Sequence, residues 1–151
     1  MKKIILGFSF AVVLSGTSFS QKIAKENIPA PVSDAFKSRF SIAEKTEWEM
    51  DYDNYQSNFT VGNADFSATF DKDGKWLKTE SYIKPSTLPK NIKNYITKNF
   101  PGYKVDETEK VETPEKGVTY EMEITKDELV YDVSISEAGE LIKHEQKGAS
   151  K

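Results

Sequence analysis

The chain has 151 residues, no cysteine, one histidine and a formal net charge of −3, from 24 acidic and 21 basic side chains. This length suits one compact domain. The acidic balance argues against nucleic acid, where affinity comes mainly from neutralised phosphates, and against an anionic membrane surface. A single histidine excludes both a histidine metal cluster and a Ser-His-Asp arrangement with a spare base. We therefore expect no cofactor, no metal site and no enzymatic activity.

The first 20 residues have the organisation of a secretory signal peptide. Lys2 and Lys3 precede an apolar run over residues 4–14, and the small residues Ser18 and Ser20 match the preference of signal peptidase. The apolar run is too short for a retained membrane anchor. We predict cleavage near Ser20, which leaves 19 basic against 24 acidic side chains and a net charge of −5. The mature chain is expected in the periplasm or outside the cell, without stable membrane insertion.

One pattern of a helix followed by strands occurs twice along the chain. The apolar residues of 28–40 recur 60 residues later in 88–100, and those of 55–76 recur 65 residues later in 120–141. Such a tandem repeat predicts two copies of one structural unit. The predicted organisation is a signal peptide at 1–20, a first repeat at 21–84, a second repeat at 85–147 and a frayed tail at 148–151.

In the first repeat, a polar leader over residues 21–27 precedes the first helix. Apolar residues at helical spacing, with Pro31 in the first turn, predict a helix that ends near Phe40. From Glu44 onward, apolar and polar residues alternate with a period of two, which predicts four short antiparallel strands joined by tight turns. Trp76 on the fourth strand is expected in the core.

The second repeat follows the same order of elements. Ser86 or Thr87 is expected to cap a helix that Pro89 opens and that Pro101 and Gly102 end. The alternating pattern then predicts strands near 103–112, 118–125, 129–136 and 140–146. His144 is expected at a polar position of the last of them.

Together, these elements predict an α+β fold. Tandem α-β-β-β-β repeats form one antiparallel sheet of about eight strands, with both helices on one face. The other face of such a sheet is solvated and polar. The residues expected on this face are Glu47, Glu49, Asn58, Thr60, Ser67, Thr69, Glu121, Glu123, Asp132 and Ser134.

The tandem units, the signal peptide and the Asp-Lys-Asp-Gly-Lys turn at residues 71–75 together resemble a known family, the exported PepSY-like proteins grouped with β-lactamase-inhibitor proteins. The family is common among small periplasmic proteins of Bacteroidetes, and the resemblance covers residues 28–146. It implies a non-enzymatic binding or inhibitory module that uses the open sheet face and hairpin loops. In the inhibitor branch, an aspartate and aromatics of an early hairpin enter the target's active site; residues 51–55 have similar character, although this chain lacks the cysteines of the characterised inhibitor.

Candidate contact residues lie on this hairpin and on the open face. Carboxylates and phenols on an exposed turn suit docking to a cationic, hydroxyl-rich cleft, but the same residues are also good turn formers. Tyr52 is either exposed on the turn or directed to the core with Trp48. The predicted partner-binding residues are Asp51, Tyr52, Asp53, Tyr55, Glu47, Glu49, Asn58, Glu121 and Glu123.

Two pairs of acidic residues are also compatible with other sites, a calcium loop and a pair of glycosidase acids. Asp71 and Asp73 with Gly74 are similar to the start of a calcium loop, but the glutamate that completes such a loop is misplaced, so a hairpin turn with glycine at positive φ is favoured. Glu121 and Glu123 lie about 7 Å apart on one strand face, within the range of glycosidase acids. Alternating charge nevertheless indicates a solvated strand face.

The leading hypothesis is a monomeric periplasmic protein that binds another envelope protein, as an inhibitor or modulator of an envelope enzyme. Lys143 and Lys147 at the last strand oppose pairing of sheet edges between copies. The alternative is a carrier of a small ligand or cation that uses the acidic face or a groove between the repeats. A third hypothesis is a structural component of the envelope.

Overall fold

The computed structural model describes residues 21–147, so the predicted signal peptide and the predicted tail lie outside the described residues. Within this range, the strands form one sheet in chain order, and every neighbouring pair is antiparallel. The predicted α+β fold is confirmed, with nine strands instead of about eight. The elements are β1 (Gln21–Ile23), a 3-10 helix (Lys25–Asn27), α1 (Ala30–Arg39), β2 (Glu44–Asp51), β3 (Asn54–Val61), β4 (Ala64–Phe70), β5 (Trp76–Tyr82), a second 3-10 helix (Pro85–Thr87), α2 (Lys90–Asn99), β6 (Lys104–Thr113), β7 (Gly117–Lys126), β8 (Leu129–Ser136) and β9 (Leu141–Lys147).

The ninth strand comes from the segment that the sequence pattern predicts as a polar leader. β1 pairs with β2, and Ile23 packs against the apolar cluster under α1. Nζ of Lys22 contacts Oε2 of Glu47 on β2 at 3.1 Å. A strand of three residues is too short to show an alternating pattern, so pairing with β2 and burial of Ile23 decide its conformation.

The two helices begin without side-chain caps. Pro31 lies in the first turn of α1 as predicted, because its fixed φ suits that position. The expectation that Ser86 or Thr87 caps α2 is wrong: Pro89 is the N-cap residue and makes no side-chain hydrogen bond. Instead, Oγ1 of Thr87 donates to the carbonyl of Lys84 at 2.7 Å and closes the preceding 3-10 turn.

Each helix covers its own apolar cluster on the same face of the sheet. The cluster under α1 is built largely of aromatic rings, whereas the cluster under α2 is mainly aliphatic. Burial of these side chains is the main force that holds each helix on the strands. The buried members of the first cluster are Ile28, Val32, Phe36, Trp48, Phe59, Ala68 and Phe70, and those of the second are Leu88, Ile92, Ile96, Tyr120, Met122, Ile124, Val133 and Ile135.

In the Asp-x-x-Gly turn between β4 and β5, the aspartate side chain binds backbone N–H groups. Oδ1 of Asp71 accepts hydrogen bonds from the N–H groups of Asp73 and Lys75, both at 2.9 Å, and Gly74 has a φ of +83°. This geometry is the predicted hairpin turn. In the second repeat, Oγ of Ser136 accepts the corresponding hydrogen bond from the N–H of Glu140 at 3.1 Å. A hydroxyl therefore takes over part of the role of the missing aspartate.

Two positions near the ends of the repeats differ in their packing. Trp76 is half-buried against the first cluster, as predicted for a core residue. Its counterpart Leu141 is 44% exposed, because β9 is the edge strand and has a neighbour on one side only. His144, also on β9, is exposed, and its ring centroid lies 5.1 Å from that of Phe100 and 4.6 Å from that of Tyr131.

Candidate interaction face

The sheet face opposite the helices, here called the uncovered face, carries no helix of the described region. Strand register sets its composition, because alternate residues share a face and lie beside their cross-strand partners. All ten residues predicted on the solvated face lie on it. Two of them, Thr69 and Ser134, are nevertheless buried, because each stands between longer side chains of adjacent strands. These neighbours are Gln56 and Lys78 for Thr69, and Glu121 and Lys143 for Ser134.

In the first repeat, a carboxylate on the uncovered face is paired with two amides. Oε1 of Glu49 accepts hydrogen bonds from Nε2 of Gln56 and Nδ2 of Asn58, both at 3.1 Å. Nε2 of Gln56 also donates to Oδ1 of Asn58 at 3.2 Å. These bonds restrict three side chains, so this part of the surface is ordered by the chain itself.

Near the middle of the sheet, a lysine and a hydroxyl hold a second carboxylate. Glu80 accepts from Nζ of Lys78 at 2.9 Å and from Oγ of Ser67 at 3.0 Å. The side chains of Lys78 and Glu80 are only 25% and 18% exposed, so water screens this ion pair less than a surface pair. The pair adds to the ordered polar surface.

The second repeat carries an acid where the first repeat carries an amide. Glu121 follows Gln56 at the 65-residue offset, and Glu109 corresponds to Glu49 because it pairs with Glu121 as Glu49 pairs with Gln56. The Glu109 residue is only 8% exposed. Two carboxylates thus lie directly opposite each other across β6 and β7, and like charges in this position repel.

Burial and neighbouring charges make this group of carboxyls harder to ionise. Burial, followed by the charge of Glu80, raises the pKa of Glu109 to about 7, although a hydrogen bond donated by the Tyr82 hydroxyl acts in the opposite direction. The same two causes raise the pKa of Glu121. Three lysines face Glu121 and lower its pKa without cancelling the shift: Lys78, Lys116 and Lys143. Glu80, Glu109 and Glu121 are called the central carboxylate cluster below.

A neighbouring pair of acids on the same face has its own lysine. Glu123, the counterpart of Asn58, lies opposite Asp132 in the register of β7 and β8. Nζ of Lys147 contacts Glu123 at 2.8 Å and Asp132 at 2.9 Å. This one lysine bridges both carboxylates within the chain.

Tyr52 is exposed at the tip of the β2–β3 hairpin. Its side chain is 72% exposed, which excludes the alternative that it packs in the core with Trp48. The backbone of Tyr52 has a φ of +55°, a conformation that favours glycine or asparagine over aromatic residues. Asp53 is exposed beside it, and Asp51 is half-buried at the end of β2. The hairpin therefore presents an exposed phenol and an exposed carboxylate.

Of the predicted contact residues, Tyr55 lies on the other side of the sheet. It is half-buried against the apolar cluster under α1, because the register pairs it with Phe70 on the helix-covered face. Sequence analysis also missed Glu109 and Glu80. No sequence motif identifies them, since their proximity to Glu121 follows only from the register of β5, β6 and β7. The predicted residues on the uncovered face are Glu47, Glu49, Asn58, Glu121 and Glu123.

The surface has shallow grooves but no metal-binding arrangement in the part of the chain that the structure describes. One groove of about 320 Å³ lies at the edge of the uncovered face and is lined by Lys75, Leu77, Val111 and Glu121, among others. Between residues 21 and 147, no three His, Cys, Asp or Glu side chains are placed to hold a metal ion. Neither α-helix of this region has the length and hydropathy needed to span a bilayer.

Comparisons with known proteins agree with this architecture. A family model described as "Putative beta-lactamase-inhibitor-like, PepSY-like" matches residues 53–143. A BLIP-like protein from Bacteroides fragilis is 21% identical with a TM-score of 0.72, over 82% of this chain and 91% of that one. A DUF2874 family protein from Bacteroides ovatus is 21% identical with a TM-score of 0.72, over 78% and 86% of the two chains.

A further solved structure, described as one of the "putative periplasmic proteins" of Bacteroides eggerthii, is 20% identical with a TM-score of 0.69. The similarity covers 78% of this chain and 88% of that one. At these identities, the likeness shows a shared fold. No curated protein matches the chain.

Proposed function

The chain belongs to the PepSY-like family, and we propose that its mature form is a non-enzymatic periplasmic protein that binds another envelope protein. The binding surface would comprise the uncovered face and the β2–β3 hairpin, and the protein would act as an inhibitor or modulator of its partner. The predicted signal peptide at residues 1–20 and the description of a structural neighbour as periplasmic support this location.

The observation that carries this proposal is the conformation and exposure of Tyr52. A side chain at positive φ costs roughly 1 kcal/mol relative to glycine. Tyr52 adopts this conformation with a φ of +55°, yet its side chain remains 72% exposed. Exposed tyrosines are frequent anchors of protein interfaces. Unfavourable backbone geometry at an exposed aromatic residue is therefore better explained by contact with a partner than by stability.

The mechanism would be steric and electrostatic occlusion. The hydrogen bonds around Glu49 and Glu80 order the uncovered face before association, which reduces the entropy lost on binding. The exposed hairpin tip with Tyr52 and Asp53 would enter a cleft of the partner. The protein itself would carry out no chemical step.

The test is capture of a partner by the immobilised mature chain (residues 21–151) from a periplasmic extract of the source organism, with mass spectrometry of the retained proteins. A single stoichiometric envelope protein is expected. Replacing Tyr52 by glycine relieves the backbone and removes the anchor, so the variant should keep its melting temperature and retain at least tenfold less partner, as expected for a hot-spot residue.

Ile42→Ala is the matched control, because Ile42 is 70% exposed and lies just before the opposite end of β2. It should retain the partner at the level of the unchanged protein. Equal retention by Tyr52→Gly, or an empty column, would contradict the proposal. A large fall in the melting temperature of Tyr52→Gly would show that the tyrosine is structural.

The groove of about 320 Å³ beside Glu121 favours one alternative, a carrier of a small ligand or cation. A ligand present at 100 times its Kd would stabilise the folded protein by about 2.7 kcal/mol. Thermal unfolding with calcium, zinc, haem and lipid panels tests this alternative. A raised midpoint with one ligand class would support the carrier, and unchanged midpoints throughout would support the protein-binding module.

A further inference from the structure

The last strand, β9, is the longer of the two strands that end the sheet. β1 at the opposite edge has three residues, whereas β9 has seven. Within residues 21–147, β9 pairs only with β8, so its outer backbone N–H and C=O groups have no strand beside them. An edge of this kind can pair with a strand of another chain. β9 is therefore the edge at which this sheet can be extended.

Exposed apolar side chains are concentrated along this edge. The described region has six exposed large hydrophobic residues, and three of them lie on β9 or at the adjoining start of β8. They are Leu129, Leu141 and Ile142, with exposed fractions of 40%, 44% and 42%. Because β8 and β9 are antiparallel, Leu129 lies near one end of the edge and the other two near the opposite end. Grouped apolar residues of this kind are typical of interaction surfaces.

The two lysines of β9 are bound to acids of their own chain. Nζ of Lys147 lies 2.8 Å from Glu123 and 2.9 Å from Asp132, and Nζ of Lys143 lies 2.8 Å from Glu145. Lysines protect a sheet edge when their charges would be brought against another strand, and the sequence alone therefore favoured a monomer. Since carboxylates of the uncovered face accompany both ammonium groups, these lysines oppose edge pairing less than the sequence suggested.

Strand register restricts how two copies of β9 can pair. Lys143 and Glu145 point to the uncovered face, whereas His144 lies opposite the buried Val133 on the helix-covered face. In an antiparallel pair, directly opposed residues lie on the same face of the sheet. Two β9 strands related by a twofold axis along the sheet normal must therefore have one residue that faces its own counterpart.

Charge favours one of the possible registers. If Lys143 faces its counterpart, two ammonium groups are opposed. If Glu145 does so, two carboxylates are opposed and Lys143 faces Lys147. If His144 does so, Lys143 of each copy lies opposite Glu145 of the other, and residues 141–147 of both copies overlap over their full length. Opposite charges across strands are stabilising and like charges are destabilising. β9 is thus complementary to itself in the register that gives the longest overlap.

We propose that two copies of the mature chain form a dimer by antiparallel pairing of β9, with His144 at the twofold axis and Lys143 of each copy opposite Glu145 of the other. The dimer joins the two nine-stranded sheets into one. It brings Leu141 of one copy to the end of the other edge that carries Leu129. β9 lies two strands beyond β7, so the central carboxylate cluster and the β2–β3 hairpin take no part in the pairing. The dimer does not depend on the proposed binding function.

Cysteine cross-linking tests the register, because the chain has no cysteine of its own. His144→Cys places a thiol opposite its counterpart, and opposed Cα atoms of antiparallel strands are about 4.5–5.5 Å apart, a distance that a disulfide spans. Gln146→Cys is the matched control on the same strand and face, since residue 146 faces residue 142 of the other copy and lies about 13 Å along the strands from its counterpart. Both residues are exposed.

Under mild oxidation, His144→Cys is expected to form a covalent dimer, and Gln146→Cys is expected to remain a monomer on a non-reducing gel. Equal cross-linking of the two variants, or cross-linking of neither, would overturn the inference.

Sedimentation of the unchanged mature chain measures the dimer without a cross-link. From micromolar to near-millimolar concentration, the mean mass should rise toward that of two chains. Glu145→Lys opposes ammonium groups on both sides of the axis and should weaken association at least tenfold. Adding Lys143→Glu to this variant exchanges the two charges and should restore the affinity. Glu26→Lys makes the same change in net charge at an exposed residue near the opposite edge and should have no effect.

An unchanged chain that stays monomeric throughout, or normal association of Glu145→Lys, would contradict the dimer. Thermal unfolding of each variant shows whether it is folded, and Lys143→Glu alone gives an independent disruption of the same charge pair.

The dimer and the proposed binding function can fail separately, because cross-linking uses the purified chain without a partner. A captured envelope protein together with a monomeric chain would contradict the dimer alone. A specific His144→Cys cross-link together with an empty capture column would contradict the binding function alone.

Discussion

The two repeats have the same topology but differ in the chemistry of their cores. Under α1, the ring of Phe36 lies 5.1–6.3 Å from the centroids of four other aromatic rings. Under α2, the equivalent position is Ile96, which belongs to a cluster whose buried members are mostly aliphatic. Both sets are apolar at the same positions. The order of elements therefore depends on where apolar residues stand, whereas their identity sets how each half is packed.

The repeats also differ on the uncovered face, where the contrast lies in charge. The Glu49–Gln56 pair of the first repeat is a hydrogen bond, and the Glu109–Glu121 pair of the second is a repulsion. The backbone register is the same in both. This difference shows that the two copies share the positions of their side chains on the sheet without sharing the same electrostatic balance.

Truncation of Phe36 and Ile96 measures how much each core depends on its central side chain. Phe36→Ala should lower the free energy of unfolding by about 4 kcal/mol and Ile96→Ala by about 3 kcal/mol, because the phenyl ring leaves the larger cavity. Urea unfolding measures both values. Phe36→Leu and Ile96→Val are the conservative controls, each with a smaller loss. A larger loss for Ile96→Ala would contradict the expectation that removal of the phenyl ring leaves the larger cavity.

The glycines of the two equivalent turns should also differ. A Cβ at Gly74 would lie 2.5 Å from the backbone oxygen of Pro31, whereas a Cβ at Gly139 would lie 3.3 Å from the side-chain amide of Asn91. A backbone atom cannot move aside as a side chain can. Gly74→Ala should therefore cost about 3 kcal/mol and Gly139→Ala about 1 kcal/mol, as judged from thermal unfolding.

Gly62→Ala isolates the contribution of backbone conformation to this comparison. Gly62 also has a positive φ, and no heavy atom lies within 4 Å of the position that a Cβ would occupy there. Its substitution should match that of Gly139. A Gly74→Ala variant no less stable than Gly62→Ala would show that the approach to Pro31 is unimportant.

Exchanging the amide and the acid between the repeats tests the electrostatic difference between them. The folded-state pKa of Glu109 is about 7, above the value of about 4.3 for an unfolded glutamate. Folding thus favours the protonated form, so its contribution is favourable below about pH 4.3 and is lost as the pH rises through about 7. Glu121→Gln should remove repulsion and raise the stability at pH 8 by about 1 kcal/mol, with a smaller gain at pH 5.

The reverse change, Gln56→Glu, should lower the stability at pH 8 by a similar amount, because it copies the acidic pair into the first repeat. Chemical unfolding at both pH values measures each variant. Parallel pH profiles for Glu121→Gln and the unchanged protein would show that the two glutamates are not coupled.

A small loss of stability is expected at Arg39, whose counterpart in the second repeat is Asn99. The guanidinium Cζ of Arg39 lies 3.5 Å from the ring centroid of Trp76, and its Nη2 contacts Glu112 on β6 at 3.1 Å. Arg39→Ala should cost about 1 kcal/mol, since the groups are partly exposed. In the described part of the chain, Nδ2 of the counterpart Asn99 donates to the carbonyl of Tyr95 in its own helix, so Asn99→Ala should cost less.

Arg39→Lys distinguishes the two parts of this contact. It keeps the charge but loses the planar group that stacks on the indole, so it should recover only part of the stability. Full recovery by lysine would mean that the charge alone matters. Thermal unfolding of Arg39→Ala, Arg39→Lys and Asn99→Ala in one buffer gives the comparison.

Sequence patterns predicted the long elements well and the short or unpatterned features poorly. The predicted strands at 103–112 and 118–125 agree closely with β6 (Lys104–Thr113) and β7 (Gly117–Lys126). Alternation over eight or more residues is a strong signal, which explains this agreement. β1 was missed, since its conformation depends on pairing with β2. The predicted cap of α2 was wrong, because local polar residues there close the preceding turn instead.

The residues of the candidate interaction face also divide into those that the sequence predicted and those that required the fold. Tyr52 was placed on a hairpin by the sequence, but its exposure became clear only from the turn geometry. Tyr55, two residues into the hairpin's second strand, was predicted as a contact residue and instead faces the core side, because strand parity decides which face a side chain occupies.

The amino-acid sequence was sufficient to predict the α+β class, the tandem order of helices and strands, and the acidic, polar character of one sheet face. These properties follow from local periodicity and composition. The tertiary structure was needed to show that Glu80, Glu109 and Glu121, from three different strands, lie in one partly buried cluster. The physical reason is that strand register and burial, which no local pattern encodes, set both the distance between charges and the cost of ionising them.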